Sequence, residues 1–139
     1  MIKKIIFILR IIVATILVQT LFYKFSAHTD SVYIFTKVGL EPFGRIGIGV
    51  LELIAAILIL FPKTIWIGAI TTIGIISGAI IMHLTLLGIE INNDKGLLFY
   101  MAVIILILSL IILWYECKNI PSKKDIKRYL SFNDNTIDL

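Results

Sequence analysis

The sequence predicts an all-α integral membrane protein, a four-helix bundle with a short interfacial helix between spans 1 and 2. Of its 139 residues, 59% are hydrophobic and only 16% are charged. Soluble domains contain about 45–50% apolar and about 25% charged residues. The mean hydropathy is +1.01. A bundle in a lipid bilayer, and not a soluble globule, accounts for this composition.

Four long apolar runs supply the predicted spans, at residues 5–22, 46–61, 65–87 and 97–115. A hydrocarbon core about 30 Å thick requires roughly 17 to 25 helical residues. The second run is the shortest, and residues 43–45 extend it toward the headgroups, where Arg45 is expected to snorkel. The runs lack the alternation typical of barrel strands, which favours helices. No small-residue cleavage region follows the first run, so we expect a retained span.

The connectors contain recognisable helix boundaries. Pro62 ends the second span and Thr64 caps the third, which predicts a tight helical hairpin. Residues 23–45 are too polar to span. Asp30 or Ser31 can cap a short helix there, and Gly39 can end it. Its apolar face would contain Val32, Phe35 and Val38. This segment is interpreted as a helix on the outer membrane surface, with an irregular loop as the alternative.

The final segment, residues 116–139, differs in composition from the spans and reads as a basic cytoplasmic tail. Ser122 and Asp125 predict the start of a short basic helix. Asn92 and Asp94 mark a turn between spans 3 and 4. The lone Cys117 excludes a disulfide within the chain.

The distribution of Lys and Arg predicts the orientation, because cytoplasmic segments are enriched in these residues. With the amino terminus inside, and with Arg10 set aside as intramembrane, the inner side holds eight basic residues and the outer side four. Both termini therefore face the cytoplasm. The basic residues flank the spans and form no basic face, so the isoelectric point near 9.3 does not indicate nucleic-acid binding.

A few polar side chains enter the spans or lie at their ends. An unpaired charge near a helix centre costs about 2.5–3.5 kcal/mol on insertion scales, so such residues are expected to face protein or water. The helix directions place five of them in the outer half of the bilayer, where they are candidate ligand-binding residues. These are Gln19, Lys24, Glu52, His83 and Tyr100.

Two interpretations of this group remain open. Glu52 can neutralise Lys24, Arg45 or protonated His83 and so fix the packing of the helices. Alternatively, Glu52 and His83 line a cavity for a small amphipathic molecule. One His and one Glu are too few for a typical metal site, so no metal is predicted.

Two further features of the spans carry expectations about packing. Arg10 stands alone in the inner half of the bilayer and is expected to snorkel. Gly74 and Gly78 form a small-xxx-small pair, which predicts close contact between helices on that face.

Several segments together resemble one protein family. The most specific are Gly49-Val50-Leu51-Glu52-Leu53 and the stretch from Gly78-Ala79 to His83-Leu84, accompanied by Lys24-Phe25, residues 35–42, Pro62 and Gly68-Ala69. In this respect the chain resembles the DoxX-like family of small bacterial four-helix membrane proteins, over roughly residues 10–114. The resemblance implies a bacterial inner membrane location and a quinone-side role, because family members have been linked to quinol oxidases and thiosulfate oxidation.

The predicted function is therefore that of an accessory subunit, not an enzyme by itself, of a quinol-linked oxidoreductase. It would bind a quinone or another lipophilic molecule near Glu52 and His83. The alternative is a non-catalytic structural or assembly partner of a membrane complex. Expected partners are the lipid bilayer and either another complex subunit or further copies of the chain. A small transporter finds little support, because there is no visible internal repeat.

Overall fold

A computed structural model describes residues 1–119, and this part of the chain contains helices and turns but no strand. The helices are α1 (Ile2–Phe25), α2 (Thr29–Lys37), α3 (Phe43–Leu60), α4 (Ile65–Met82) and α5 (Leu97–Glu116). A π-helical turn, His83–Leu87, continues α4, and a 3-10 turn, Cys117–Asn119, follows α5. The all-α prediction is confirmed. The short basic helix predicted to start at residues 121–125 lies outside the described residues.

The four long helices form a closed ring in which α1 and α4 each pack against both α3 and α5. Successive long helices run in opposite directions. One end of the bundle, called the loop end below, contains α2 and residues 88–96. The opposite end, called the terminal end, contains Met1, the turn at residues 61–64 and the end of α5. Val13, Leu17, Ile59, Ile105 and Ile112 fill the core and are at most 1% exposed.

The outer surface of the bundle carries many exposed hydrophobic side chains. No more than a third of the most apolar stretch of any long helix is buried within the chain. Phe22 is 70% exposed and Leu84 is 64% exposed, although each would be strongly disfavoured in water. All four long helices are long and apolar enough to cross a membrane. The chain is therefore a multi-pass membrane protein.

The ends of the connecting segments differ in detail from the prediction. A short helix, α2, is present, but its N-cap is His28, whose Nδ1 accepts a hydrogen bond from the Asp30 backbone N–H at 3.4 Å. The predicted caps, Asp30 and Ser31, lie inside the helix instead. A His ring nitrogen without a proton can accept the capping hydrogen bond in the way that a side-chain oxygen does. Thr64 does precede α4, but its hydroxyl donates to the Leu58 carbonyl at 2.8 Å and not into α4.

The close helix contact expected at Gly74 and Gly78 occurs instead at Gly68. A Cβ atom at Gly74 or Gly78 would meet nothing within 4 Å in the described chain. At Gly68 it would lie 2.8 Å from the Cα of Ile59, and closer still to the Ile59 nitrogen. The short turn at residues 61–64 accounts for the difference, because it holds the backbones of α3 and α4 together one turn after the hairpin.

Candidate functional site

The first polar cluster at the loop end centres on Glu52, which is 4% exposed on α3. Lys24 Nζ donates to Glu52 Oε2 at 2.9 Å and to Oε1 at 3.1 Å. Thr20 Oγ1 lies 3.0 Å from Oε2 and 2.8 Å from the Leu17 carbonyl, and the charged carboxylate is the stronger acceptor of its single proton. Because Thr20 and Lys24 are four residues apart on α1, both reach the same neighbour. We call Thr20, Lys24 and Glu52 the Glu52 cluster.

Arg45 lies beside the Glu52 cluster and is buried rather than snorkelling. Its Nε donates to both carboxylate oxygens of Glu41, at 2.8 and 2.9 Å. Its Nη1 donates to the backbone carbonyl of Lys24, in the last turn of α1, where carbonyls lack partners within the helix. Arg45 therefore caps α1 and anchors the start of α3, and Lys24, not Arg45, is the cation paired with Glu52.

His83 occupies a different environment at the same end of the bundle. It is 5% exposed and begins the π-helical turn. Its Nδ1 lies 2.9 Å from the Gly88 carbonyl oxygen, and its ring meets the edge of Phe99 at 5.8 Å between centroids. Within residues 1–119 no hydrogen bond joins His83 to Glu52. The structure thus brings Glu52 together with Lys24, and His83 with the loop before α5.

The other two candidate residues face outward. Gln19 is exposed, and Tyr100 is 58% exposed with its ring against Phe99 at 5.8 Å. Neither forms a hydrogen bond with Glu52 or His83 within the described chain. Sequence reasoning missed Thr20, although its position four residues before Lys24 was the available signal.

A second buried polar group lies at the terminal end, around Arg10. Arg10 is 7% exposed; its Nε donates to the Ile59 carbonyl at 2.7 Å and its Nη2 to the Leu60 carbonyl. The buried carboxylate of Glu116 also attracts it. The two carbonyl groups belong to the last two residues of α3, where the helix dipole favours a cation. The expectation that Arg10 snorkels is wrong, because the end of α3 supplies acceptors inside the bundle.

Asp94 organises the loop before α5. Its carboxylate accepts hydrogen bonds from the backbone N–H groups of Ile91 and Gly96, both at 2.8 Å, and of Leu98 at 3.1 Å. Burial alone would raise the pKa of the Asp94 carboxyl, but these donors and nearby His83 lower the pKa below its ordinary value. The predicted turn is confirmed, and Asp94 also caps α5.

The loop before α5 is further tied to α2. Asn92 Nδ2 donates to Asp30 Oδ1 at 2.8 Å, and the His28 ring packs edge-on against Tyr23 at 4.9 Å. These contacts hold the polar segments together over the loop end of the bundle. In residues 1–119, no three His, Cys, Asp or Glu side chains are grouped so that they could hold a metal ion.

The chemistry of these groups is one of charge compensation and helix capping. Glu52 and Arg10 each bind a partner on another helix. Arg45 binds Glu41, four residues earlier, and the Lys24 carbonyl of α1. Comparisons of the chain with protein-family models, with curated proteins and with solved structures found no match. An interpretation of function therefore depends on this geometry and on the residues themselves.

Proposed function

We propose that this chain is a non-catalytic accessory subunit of a membrane complex, of the DoxX-like type, in the bacterial cytoplasmic membrane. The observation that carries the proposal is the engagement of both carboxylate oxygens of Glu52 by Lys24 and Thr20 from the neighbouring helix. A catalytic acid or base needs an oxygen or a proton available to its substrate. A carboxylate held by three hydrogen bonds from α1 serves instead to fix α1 against α3.

The other buried charges support the same role. Arg45 of α3 binds the Lys24 carbonyl of α1, and Arg10 of α1 binds the carbonyls at the end of α3. Such pairing favours one arrangement of helices over its alternatives. The result is a stable bundle whose broad apolar exterior is available to lipid and to neighbouring subunits.

The sequence resemblance and the charge distribution complete the proposal. The two segments most specific for the DoxX-like resemblance contain Glu52 and His83, and both side chains are buried. The excess of Lys and Arg on one side supports an orientation with the termini in the cytoplasm and the loop end outside. A quinone-binding role stays a prediction that the accessory role does not require.

The test is deletion of the protein in its native host, followed by native electrophoresis of membrane complexes and quantitative mass spectrometry. We expect one complex to lose mass or abundance on deletion and to recover with the wild-type chain. The Lys24→Met/Glu52→Gln double variant should restore it equally, since a neutral pair replaces the ion pair. No altered complex, or a failure of the double variant despite normal accumulation, would refute the proposal.

A further inference from the structure

His83 is a buried ionisable side chain that forms no ion pair within residues 1–119, although the Asp94 carboxylate is close enough to interact with it electrostatically. Its Nδ1 faces the Gly88 carbonyl oxygen at 2.9 Å. A carbonyl oxygen can only accept a hydrogen bond, so Nδ1 must carry the proton of the neutral ring. The other nitrogen, Nε2, is then a bare acceptor. The backbone reinforces this arrangement, because the Gly88 N–H donates to the His83 carbonyl at 2.8 Å and closes the π-helical turn.

The Nε2 atom of His83 has no hydrogen-bond partner among residues 1–119. The only fully buried side-chain nitrogen or oxygen lacking a partner there is Ser109 Oγ. Nε2 of His83 also lacks a partner but is not fully buried. It therefore keeps some accessible surface, although the whole residue is only 5% exposed. An acceptor on a largely buried residue gains more from a hydrogen bond than one in water.

The residues beside His83 indicate where a donor can come from. Leu84, its neighbour in the chain, is 64% exposed, and Tyr100 on α5 is 58% exposed. Both belong to the apolar or amphipathic exterior of helices that span the membrane. The ring of Phe99 contacts the rings of both His83 and Tyr100, with centroids 5.8 Å apart in each pair. A molecule reaching Nε2 therefore approaches along a surface suited to an apolar tail.

From this geometry we infer that His83 Nε2 accepts a hydrogen bond from the hydroxyl group of an amphiphile that enters from the leaflet at the loop end. The tail of the amphiphile stays in the bilayer beside Leu84, and its head group reaches the ring. Glu52 takes no part, because its oxygens are engaged by α1. This inference is independent of the accessory role and adds a binding site to it.

The test compares two probes with nearly the same shape, 4-octylphenol and its methyl ether, which lacks the donor. The full chain is placed in phosphatidylcholine nanodiscs with isotope-labelled histidine, and nitrogen NMR reports on each ring nitrogen. We expect the His83 ring to be protonated at Nδ1 in the wild-type chain. The phenol should shift the Nε2 resonance saturably and bind about tenfold more tightly than the ether, the value of one good hydrogen bond.

Two variants sharpen the comparison. His83→Phe should bind the phenol and the ether equally, whereas the matched control His28→Phe should keep the tenfold difference. Equal binding of the two probes to the wild-type chain would overturn the inference, as would a proton on Nε2 in place of Nδ1. The wild-type comparison decides the matter even where His83→Phe fails to fold.

Discussion

Replacing Glu52 by Gln tests whether the Glu52 cluster stabilises the bundle. The side chain keeps its shape but loses its charge and one acceptor oxygen, so the Lys24 ammonium loses its counter-ion. Removing one partner of a buried ion pair costs about 3–5 kcal/mol. Lys24 keeps 14% of its side chain exposed, and Gln can still accept one hydrogen bond. We therefore expect the free energy of unfolding to fall by about 2 kcal/mol.

The converse change, Lys24→Met, leaves a carboxylate that is 5% exposed with Thr20 as its one side-chain donor. A similar loss of about 2 kcal/mol is expected. In the Lys24→Met/Glu52→Gln double variant neither charge remains, and the loss should be only about 1 kcal/mol. The coupling between the two sites is then about 3 kcal/mol, at the upper end for residues in contact.

These free energies are measurable by equilibrium unfolding in mixed detergent micelles at neutral pH. Gln19→Leu serves as a control, because Gln19 is exposed on α1 and its replacement should leave stability unchanged. If Glu52→Gln is as stable as the wild-type chain, or if the two single losses simply add in the double variant, the ion pair does not stabilise the fold.

Three further predictions follow from other parts of the structure. Gly68→Ala should destabilise the protein by about 1–3 kcal/mol through overpacking, whereas Gly78→Ala should not, and thermal unfolding in detergent compares them; equal stabilities would contradict the assigned α3–α4 contact. Because the folded pKa of Asp94 is lowered, its contribution is present above the unfolded pKa of about 3.9 and is lost as the pH falls through the folded value. Asp94→Asn should therefore lower the melting temperature near neutral pH and flatten its dependence below about pH 4, while an unchanged acid profile would reject this role. A reporter fused after Leu139 should be active only in the cytoplasm, and one inserted at residues 30–37 only outside; the reverse pattern would reject the orientation.

The sequence was sufficient to predict the four spans. In a bilayer, a long apolar run without strand-like alternation can satisfy its backbone hydrogen bonds only as a helix. The sequence also singled out Glu52 correctly as a buried group with Lys24 among its partners. It did not distinguish Lys24 from Arg45, since both lie at the same end of the bundle. That choice depends on rotation of α1 about its axis, which an apolar helix with few polar positions scarcely encodes.

Other features depended on contacts that no local pattern contains. Arg10 finds its acceptors about fifty residues away, at the end of α3. Gly68 and Gly78 have similar sequence surroundings, yet only Gly68 lies beside another backbone, because the hairpin turn fixes the closest approach. His28 caps α2 through a ring nitrogen. The usual preference for Ser, Thr, Asp or Asn at this position instead predicted Asp30 or Ser31 as the cap.

Arg10 and Arg45 act reciprocally: Arg10 of α1 binds carbonyls at the end of α3, and Arg45 of α3 binds a carbonyl near the end of α1. During synthesis α1 is made first, and Arg10 then has no α3 to bind. An arginine without partners costs about 2.5–3.5 kcal/mol in the membrane interior. The apolar residues of α1 offset this cost, so α1 can insert first. When α3 arrives some fifty residues later, its last carbonyls become partners for Arg10 and favour packing of the two helices within the bilayer.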